Sequence, residues 1–511
     1  MVNSIKSLAK DTSVYGVSSI VGRLLNWLLV PVYTYIFAAE EYGIVTEVYA
    51  YVAVLLIILT YGMETGFFRF ANHERWKDPL QVYTTSLSAL LVSSSVFIVI
   101  VLVWAEKWAE LLSCANNPDF VVMMGITVAV DAFTSLPFAY LRYKRQPFRF
   151  ALLKVTGIAL NIGFNLFFLL LLPAISNWAI FSWMYYPRFG IGYIFLSNLI
   201  SSAVVLLLLI PEISCRWSFS GKLLREMLSY SFPLLVLGIA GVMNQTIDKI
   251  LYPYLVSDPQ EAMSGLGIYG ANYKIAVILV MFLQAFRFAY EPFVFAKAKE
   301  KKKDNTYSDA MKWFLIVAMY IFLGVMLLLE IVKHFIAPEY YSGLKVVPII
   351  MLAELFFGIF FNLSIWYKIS DRTVWGTWFS IIGLAVTLAM NAILVPRFGY
   401  MGCAWAAFSC YAIMMILSWL VGRFKNPIDY DMKSLAFYFI LGILLWIGTE
   451  IILNHGSWPD GLDVAHGTDM LGWVVKILVL GLYPAVVYIK EFRLAGKRLS
   501  LPLRRKRQTR A

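Results

Sequence analysis

Long apolar runs alternate with short polar segments along the whole chain. A helix needs roughly 20 mostly apolar residues to cross a membrane, and nearly every run meets that length. Segments 166–172 and 204–210 are apolar at every position, unlike the alternating strands of a membrane barrel. The pattern therefore predicts about fourteen transmembrane α-helices, at 13–37, 44–66, 83–105, 120–141, 148–172, 192–210, 229–256, 266–291, 311–333, 346–367, 374–395, 400–421, 434–453 and 470–489.

The composition agrees with this all-α integral membrane fold. Hydrophobic residues make up 60% of the chain and charged residues 14%, whereas soluble domains are less apolar and about a quarter charged. A soluble core could not bury so much apolar surface, so lipid must cover the rest. The first run has full span length and lacks a small-residue cleavage site, so we expect no cleavable signal peptide. The spacing of the cysteines and histidines predicts no metal site.

The distribution of basic residues predicts the orientation. With a cytoplasmic N-terminus, 32 of the 43 Lys and Arg residues lie in or at the edge of cytoplasmic segments, and five lie in or at the edge of external loops. Basic residues are retained on the cytoplasmic side, so both termini are predicted to be cytoplasmic. The net charge of +12 then requires no nucleic acid, because anionic membrane lipids are the natural partner of these segments.

The chain contains an internal repeat, whose corresponding pieces lie about 210 to 225 residues apart. The matched pairs are Arg188-Phe189-Gly190 with Arg397-Phe398-Gly399, Tyr143-Lys144 with Tyr367-Lys368, Tyr42-Gly43-Ile44 with Leu266-Gly267-Ile268, and Gly16 and Pro31 with Gly238 and Pro253. The repeat predicts one six-helix bundle in residues 1–212 and a second in 213–424. Residues 425–511 then hold two additional transmembrane helices and a basic tail.

The even number of spans per half predicts how the halves are related. Both would enter the membrane from the same side, as in transporters with parallel repeats. Two similar bundles that face each other enclose a cleft, and rocking them opens the cleft to each side in turn. The repeat therefore indicates alternating-access transport.

Polar side chains inside the spans suggest a substrate site. An ionisable residue within the bilayer is costly and usually faces a cavity or a partner. Arg23 lies ten residues into the first span, roughly 15 Å deep at 1.5 Å per residue, and Asn26 follows on the same face. The repeat places Gln245 and Asp248 at the matching positions. Both leading helices therefore carry polar residues at one depth.

We predict five substrate-binding residues: Arg23, Asn26, Lys274, Arg287 and Glu64. The three cations among them would suit an anionic group such as a phosphate.

Other intramembrane groups allow several interpretations. Asp248 and Asn391 could bind a coupling Na⁺ or H⁺, the only cofactor that we expect. Arg287 could instead form a structural salt bridge with Glu291. Three lysines near span ends are expected to extend to the membrane surface, and two acidic residues could be protonated packing residues. These are Lys154, Lys249 and Lys476, and Asp131 and Glu354.

Three stretches carry a resemblance to a known family. They are Leu8-Ala9-Lys10-Asp11-Thr12 through Gly22-Arg23-Leu24-Leu25 to Pro31-Val32-Tyr33-Thr34, the turn Ala39-Glu40-Glu41-Tyr42-Gly43, and Pro396-Arg397-Phe398-Gly399 with Gly402. With these motifs and the repeat, the chain resembles the polysaccharide-synthesis flippases. These are O-antigen and capsule oligosaccharide translocases of the multidrug/oligosaccharidyl-lipid/polysaccharide exporter superfamily.

The resemblance implies a transporter of the bacterial inner membrane. It would move undecaprenyl-diphosphate-linked oligosaccharide from the cytoplasmic to the periplasmic leaflet, for surface polysaccharide or lipopolysaccharide biosynthesis. The resemblance implies a cationic cavity in which Arg23 is the basic residue of the first span, and Asp248 is the candidate for binding a coupling cation. We expect a monomer, which could associate with polysaccharide-assembly proteins.

Two alternatives remain open from the sequence. A peptidoglycan-precursor flippase or a multidrug antiporter of the same superfamily would share the architecture, although Arg23 argues against a cavity for cationic drugs. The second alternative is an enzyme, a membrane-embedded oligosaccharide polymerase. The short loops argue against it, so we predict a transporter and no catalytic residues.

Overall fold

The computed structural model describes residues 21–76, 78–178, 182–298, 306–370, 372–425, 428–453 and 470–494. All regular structure in these ranges is helical. The α-helices are α1 Leu29–Ile36, α2 Ala39–Thr60, α3 Met63–Ala71, α4 Pro79–Val103, α5 Ala105–Leu111, α6 Pro118–Tyr143, α7 Pro147–Leu166, α8 Leu172–Ile175, α9 Gly192–Leu208, α10 Ile210–Ile213, α11 Gly221–Leu255, α12 Pro259–Ala298, α13 Thr306–Leu327, α14 Leu329–Val332, α15 Val346–Leu363, α16 Ile365–Ile369, α17 Val374–Phe398, α18 Tyr400–Lys425, α19 Met432–Leu453 and α20 Met470–Tyr488. Short 3₁₀ segments are Ser182–Met184, Pro187–Phe189, Lys333–Phe335 and Pro338–Gly343, and π-helical segments are Phe167–Leu171 and Ile489–Leu494.

The structure confirms the all-α membrane architecture. Among the described residues, twelve helices are long and apolar enough to cross a membrane, and each coincides with a predicted span. The other two predicted spans differ. The span at 13–37 begins outside the described residues, and the span at 192–210 corresponds to Gly192–Leu208, an apolar helix of 17 residues. The exact count of fourteen therefore stays a prediction.

Local sequence signals set several helix ends. The Asp78 carboxylate accepts a hydrogen bond from the backbone N–H of Leu80 at 2.9 Å, and Pro79 occupies the first turn of α4. The Ser220 hydroxyl caps α11 in the same way, accepting from the N–H of Leu223 at 3.4 Å. These caps satisfy backbone donors that have no partner within their own helix.

Two glycines matched by the repeat share one backbone conformation. Gly190 has φ 47° and ψ −119°, and Gly399 has φ 54° and ψ −137°. Side chains with a β-carbon rarely adopt positive φ with such ψ, so both positions require glycine. Each turn lies directly before a membrane helix, α9 or α18. The two Arg-Phe-Gly motifs therefore build equivalent turns.

Helix packing shows two groups of helices that meet along α2, α11 and α12. Helix α6 packs on α4 and α9, and α9 packs on α7, whereas α18 packs on α15 and α17. Between the groups, α2 packs against α11 and α12, and α3 packs against α11. Helices α19 and α20 pack against α13 and against each other. The domain boundaries at residues 212 and 424 stay a prediction.

The groups are closed against each other at the predicted external end. The Glu339 carboxylate accepts from the backbone N–H of Ala39 at 2.9 Å, and the Tyr340 hydroxyl donates to the carbonyl of Phe37 at 2.7 Å. The Tyr340 ring meets the Tyr42 ring edge-on, with centroids 5.9 Å apart. These contacts join the start of α2 to the segment before α15 and close this end of the cleft.

Candidate substrate cavity

Two cavities adjoin each other: one lies between the helix groups, and the other lies within the group that contains α6, α7 and α9. The first, which we call the outer chamber, has a volume of about 410 Å³ and is lined by α1, α2, α7, α9, α11 and α12. The second, the inner chamber, has a volume of about 600 Å³ and is lined by α2, α3, α6, α7 and α9. Asn26, Asn161 and Asn198 line both chambers. The two volumes therefore belong to one polar cleft.

One wall of the outer chamber carries lysines. Lys249 on α11 and Lys274 on α12 both line it, and their charges lie close enough to repel each other. The indole N–H of Trp27 donates to the backbone carbonyl of Lys274 at 2.7 Å. This bond ties the helical segment 21–27, which lies directly before α1 and which we call the first helix, to α12. No carboxylate among the described residues forms an ion pair with Lys274. Its positive charge is therefore available to a ligand.

Lys249 does not extend to the membrane surface as expected. Its ammonium donates to both carboxylate oxygens of Asp248 at 3.1 Å and to the carbonyl of Gln245 at 3.1 Å. It also lies 4.3 Å from the centroid of the Tyr273 ring. Because these partners hold the side chain inside the protein, the prediction for Lys249 was wrong.

Lys154 and Lys476 also differ from that prediction. Lys154 lines the inner chamber, with its ammonium 4.0 Å from the centroid of the Phe138 ring and in electrostatic contact with Asp131. Lys476 forms an ion pair with Glu330 at 3.2 Å. In both cases the lysine contacts an acidic or aromatic side chain of another helix and does not extend to the membrane surface.

Arg23 and Arg287 lie near each other, apart from both chambers. Arg23 is exposed and lines neither of them, although Asn26, one turn later, lines both. Arg23 is close enough to Arg287 for their charges to repel. The Arg287 guanidinium stacks over the Phe361 ring at 4.4 Å. The structure therefore joins these two predicted residues as a cationic pair between the first helix and α12.

Glu64, the remaining predicted substrate-binding residue, lines the inner chamber and pairs with Arg142. Asp131 also lines this chamber and accepts a hydrogen bond from Ser202 at 2.8 Å. Acidic and basic groups therefore occur together on the inner walls. The inner chamber is close to neutral, in contrast to the lysine wall of the outer chamber.

The predicted ion-coupling residues are both buried, and neither lines the outer chamber. Asp248 is 5% exposed and accepts a hydrogen bond from Tyr269 at 2.6 Å, besides its pair with Lys249. Asn391 is fully buried and donates to the carbonyl of Thr387 at 2.8 Å, and its amide oxygen has no hydrogen-bond partner. No hydrogen bond joins Asp248 to Asn391 among the described residues.

A second buried carboxylate lies close to Asp248. Glu354 accepts a hydrogen bond from Tyr273 at 2.8 Å and interacts electrostatically with Lys249 and Asp248. It therefore belongs to a network of ionisable groups. The interpretation of Glu354 as a protonated packing residue stays a prediction.

The sequence interpretation did not identify the neutral wall of the outer chamber. Tyr49, Asn161 and Asn198 line it from α2, α7 and α9, whereas the lysines line it from α11 and α12. The recurrence of asparagine at 161 and 165 in an apolar span was a usable signal, because buried amides need partners. The sequence analysis included Lys249, but the position of Lys249 along its span does not show which way the side chain points.

Comparison with known proteins identifies the family to which the chain belongs. The sequence profile of a family described as "Polysaccharide biosynthesis protein" matches residues 8–290, which is more than half of the 511 residues. The chain belongs to the polysaccharide biosynthesis protein family. No curated protein matches this family member significantly.

Solved structures share the fold of this family member at low sequence identity. "Lipid II flippase MurJ, inward closed conformation" matches with a TM-score of 0.68 and 13% identity, covering 93% of this chain and 99% of that chain. An inward-facing multidrug resistance MATE family transporter of the MOP superfamily matches with a TM-score of 0.64 and 14% identity, covering 79% and 94%. A MOP superfamily transporter from Pyrococcus furiosus matches with a TM-score of 0.53 and 13% identity, covering 81% and 95%.

Identities this low show the fold alone. The fold is that of the MOP superfamily transporters, and the family profile adds the link to polysaccharide biosynthesis. This polysaccharide biosynthesis protein is therefore a membrane protein with the fold that a flippase and multidrug transporters also adopt.

Proposed function

We propose that the protein is a flippase for undecaprenyl-diphosphate-linked oligosaccharide, which it moves from the cytoplasmic to the periplasmic leaflet of the bacterial inner membrane. Its product would serve surface polysaccharide or lipopolysaccharide biosynthesis. The observation that carries the proposal is Lys274, a cation on the wall of a polar cavity without a carboxylate partner among the described residues. Membership of the polysaccharide biosynthesis protein family supports an oligosaccharide as the group that the lipid carries.

The chemistry of the cavity suits a diphosphate. Placing an unpaired lysine within a membrane protein is costly, so such a group is usually retained for a substrate or an ion. A diphosphate carries at least two negative charges, and a charge-assisted hydrogen bond to it is stronger than a neutral one. Lys274 and Lys249 would therefore receive the diphosphate, while the lipid tail stays in the bilayer.

The closed end of the cleft suggests the direction of loading. Glu339 and Tyr340 join the helix groups at the predicted external end. With both termini in the cytoplasm, this conformation would receive substrate from the cytoplasmic side. Rocking of the two groups would break these contacts and open the cavity outward. Asp248 and Asn391 remain the proposed site of a coupling Na⁺ or H⁺.

A peptidoglycan-precursor flippase is the second candidate. The match to a lipid II flippase structure over 99% of that chain favours it, although at 13% identity this shows only the fold. A multidrug antiporter is disfavoured, because Lys249 and Lys274 would repel a cationic drug.

Purified protein in liposomes tests the proposal. Lipid-linked oligosaccharides, extracted from the membranes of cells that express the protein natively, are placed in the inner leaflet, and an added glycosidase reports their arrival outside. We expect wild type to expose the glycan and Lys274→Ala to lower the rate about tenfold or more, as the loss of a charge-assisted contact predicts. Lys345→Ala, an exposed lysine outside the cavity, serves as the control.

Two results would overturn the proposal. One is a flipping rate for Lys274→Ala equal to that of Lys345→Ala. The other is wild-type transport of a peptidoglycan precursor without transport of the extracted oligosaccharide lipids, which would establish the second candidate.

A further inference from the structure

A chain of uncharged hydrogen bonds crosses one wall of the outer chamber. Tyr33 donates to the Asn165 amide oxygen at 2.9 Å, and the Asn165 amide donates to the backbone carbonyl of Asn161 at 2.8 Å and to its side-chain oxygen at 3.3 Å. Asn161 in turn donates to the Asn198 amide oxygen at 3.0 Å, and Asn198 donates to the Tyr49 hydroxyl at 2.7 Å. The chain links α1, α2, α7 and α9 within one helix group, so its members hold one another in fixed orientations.

Several groups of this chain are presented to the chamber. Asn161, Asn198 and Tyr49 line it, whereas Asn165 is fully buried and does not. The Tyr49 hydroxyl accepts from Asn198 and keeps its own hydrogen to donate. Asn26 lines both chambers and has no hydrogen-bond partner among the described residues. The wall therefore offers oriented donors and acceptors without net charge.

These groups match the chemistry of a sugar. Each sugar hydroxyl is uncharged and both donates and accepts, and a carboxamide offers two donors and two acceptor lone pairs. A few polar groups placed in a cavity of this size typically fix a ligand's orientation and determine specificity. An anion would instead need cations, and those line the chamber from other helices, Lys249 from α11 and Lys274 from α12.

The charge distribution therefore suits a substrate with a neutral part and an anionic part: the uncharged wall matches the sugars, and the lysines match the diphosphate. The inner chamber continues the neutral wall, because Arg142 pairs with Glu64 and Lys154 faces Asp131. Asn161 and Asn198 extend along both chambers, which gives a continuous neutral surface beside the lysines.

We propose that Asn26, Tyr49, Asn161 and Asn198 form a sugar-binding subsite, which we call the amide wall, and that Lys249 and Lys274 in the same chamber hold the diphosphate. This inference rests on the proposed function. It assigns the choice of glycan to the first helix group and the affinity for the carrier lipid to the second.

Binding in nanodiscs tests the amide wall. The probes are undecaprenyl diphosphate without sugar and the oligosaccharide lipids extracted from the native membranes. We expect wild type to bind the oligosaccharide lipids more tightly than undecaprenyl diphosphate. Asn161→Leu and Asn198→Leu should each lose about 5- to 10-fold of that preference, as the loss of one or two hydrogen bonds predicts. Their affinity for undecaprenyl diphosphate should be unchanged.

Asn165→Leu is the matched control. It breaks the same chain of hydrogen bonds, but Asn165 does not line the chamber. If the chain only holds the helices together, all three leucine variants will weaken the binding of both probes alike, and the inference is overturned. Equal wild-type affinity for the two probes would also overturn it.

The outcome separates the inference from the proposed function. Wild type that binds both probes equally, with binding weakened by Lys274→Ala, would exclude the sugar subsite and leave the flippase intact. Wild type that binds neither probe would exclude both.

Discussion

Gly43 and Gly267 occupy equivalent positions where α2 crosses α12. A β-carbon at Gly43 would collide with the carbonyl oxygen of Met263, and one at Gly267 would collide with the carbonyl oxygen of Ala39. Residues 39 and 43 are each 224 positions before residues 263 and 267. The two contacts are therefore reciprocal, as expected for repeated elements that face each other. Small residues allow membrane helices to approach this closely.

The first prediction concerns this crossing. Gly43→Ala would force the backbones of α2 and α12 apart, and overpacking of this kind typically costs about 1–3 kcal/mol. We expect the purified protein in detergent to unfold at a lower temperature, and Gly267→Ala to behave alike. The control is Gly324→Ala, because a β-carbon there meets no atom within 4 Å. Equal unfolding temperatures for Gly43→Ala and Gly324→Ala would refute the close crossing.

The second prediction concerns the cationic pair at the first helix. Arg23→Ala should abolish export of surface glycan at normal protein level, because Arg23 and Arg287 would guide the diphosphate toward the cleft. Arg23→Lys should retain part of the export, since it keeps the charge but loses the planar fork. Export is measured as glycan on the surface of intact cells. Arg188→Ala, an exposed arginine in a predicted external loop, is the control, and full display in Arg23→Ala would remove Arg23 from the site.

The third prediction concerns coupling. Asp248→Asn removes the negative charge that the Lys249 ammonium and the Tyr269 hydroxyl face. If Asp248 binds the coupling ion, flipping in liposomes should slow and lose its response to an imposed Na⁺ or pH gradient. Asn391→Ala should weaken the same response, and Glu110→Gln, an exposed acidic residue, should keep it. A gradient response in Asp248→Asn that matches wild type would discard the coupling role.

The fourth prediction concerns the pair at the inner chamber. Glu64→Lys places two cations side by side, and Arg142→Glu places two carboxylates there, so each single change should reduce flipping. The double exchange restores opposite charges, and coupled residues in contact typically show interaction energies of about 0.5–3 kcal/mol. We therefore expect the doubly exchanged protein to recover most of the rate. A double variant as slow as the product of the single effects would show that the attraction between Glu64 and Arg142 does not contribute to transport.

The sequence by itself determined where the helices lie. Twelve predicted spans coincide with membrane helices, because the cost of placing polar backbone and side chains in lipid acts on each segment separately. It also determined local backbone geometry. The two Arg-Phe-Gly motifs at Gly190 and Gly399 form the same turn, since only glycine readily adopts that conformation.

The tertiary structure alone decided which way the polar side chains point. Depth along a span follows from counting residues, but the rotation of each helix depends on its neighbours. Lys249 therefore turns toward Asp248 and the cavity, and Arg23 lies beside Arg287 outside both chambers. The amide wall likewise needs α2, α7 and α9 side by side, because the partners Tyr49, Asn161 and Asn198 come from three separate helices.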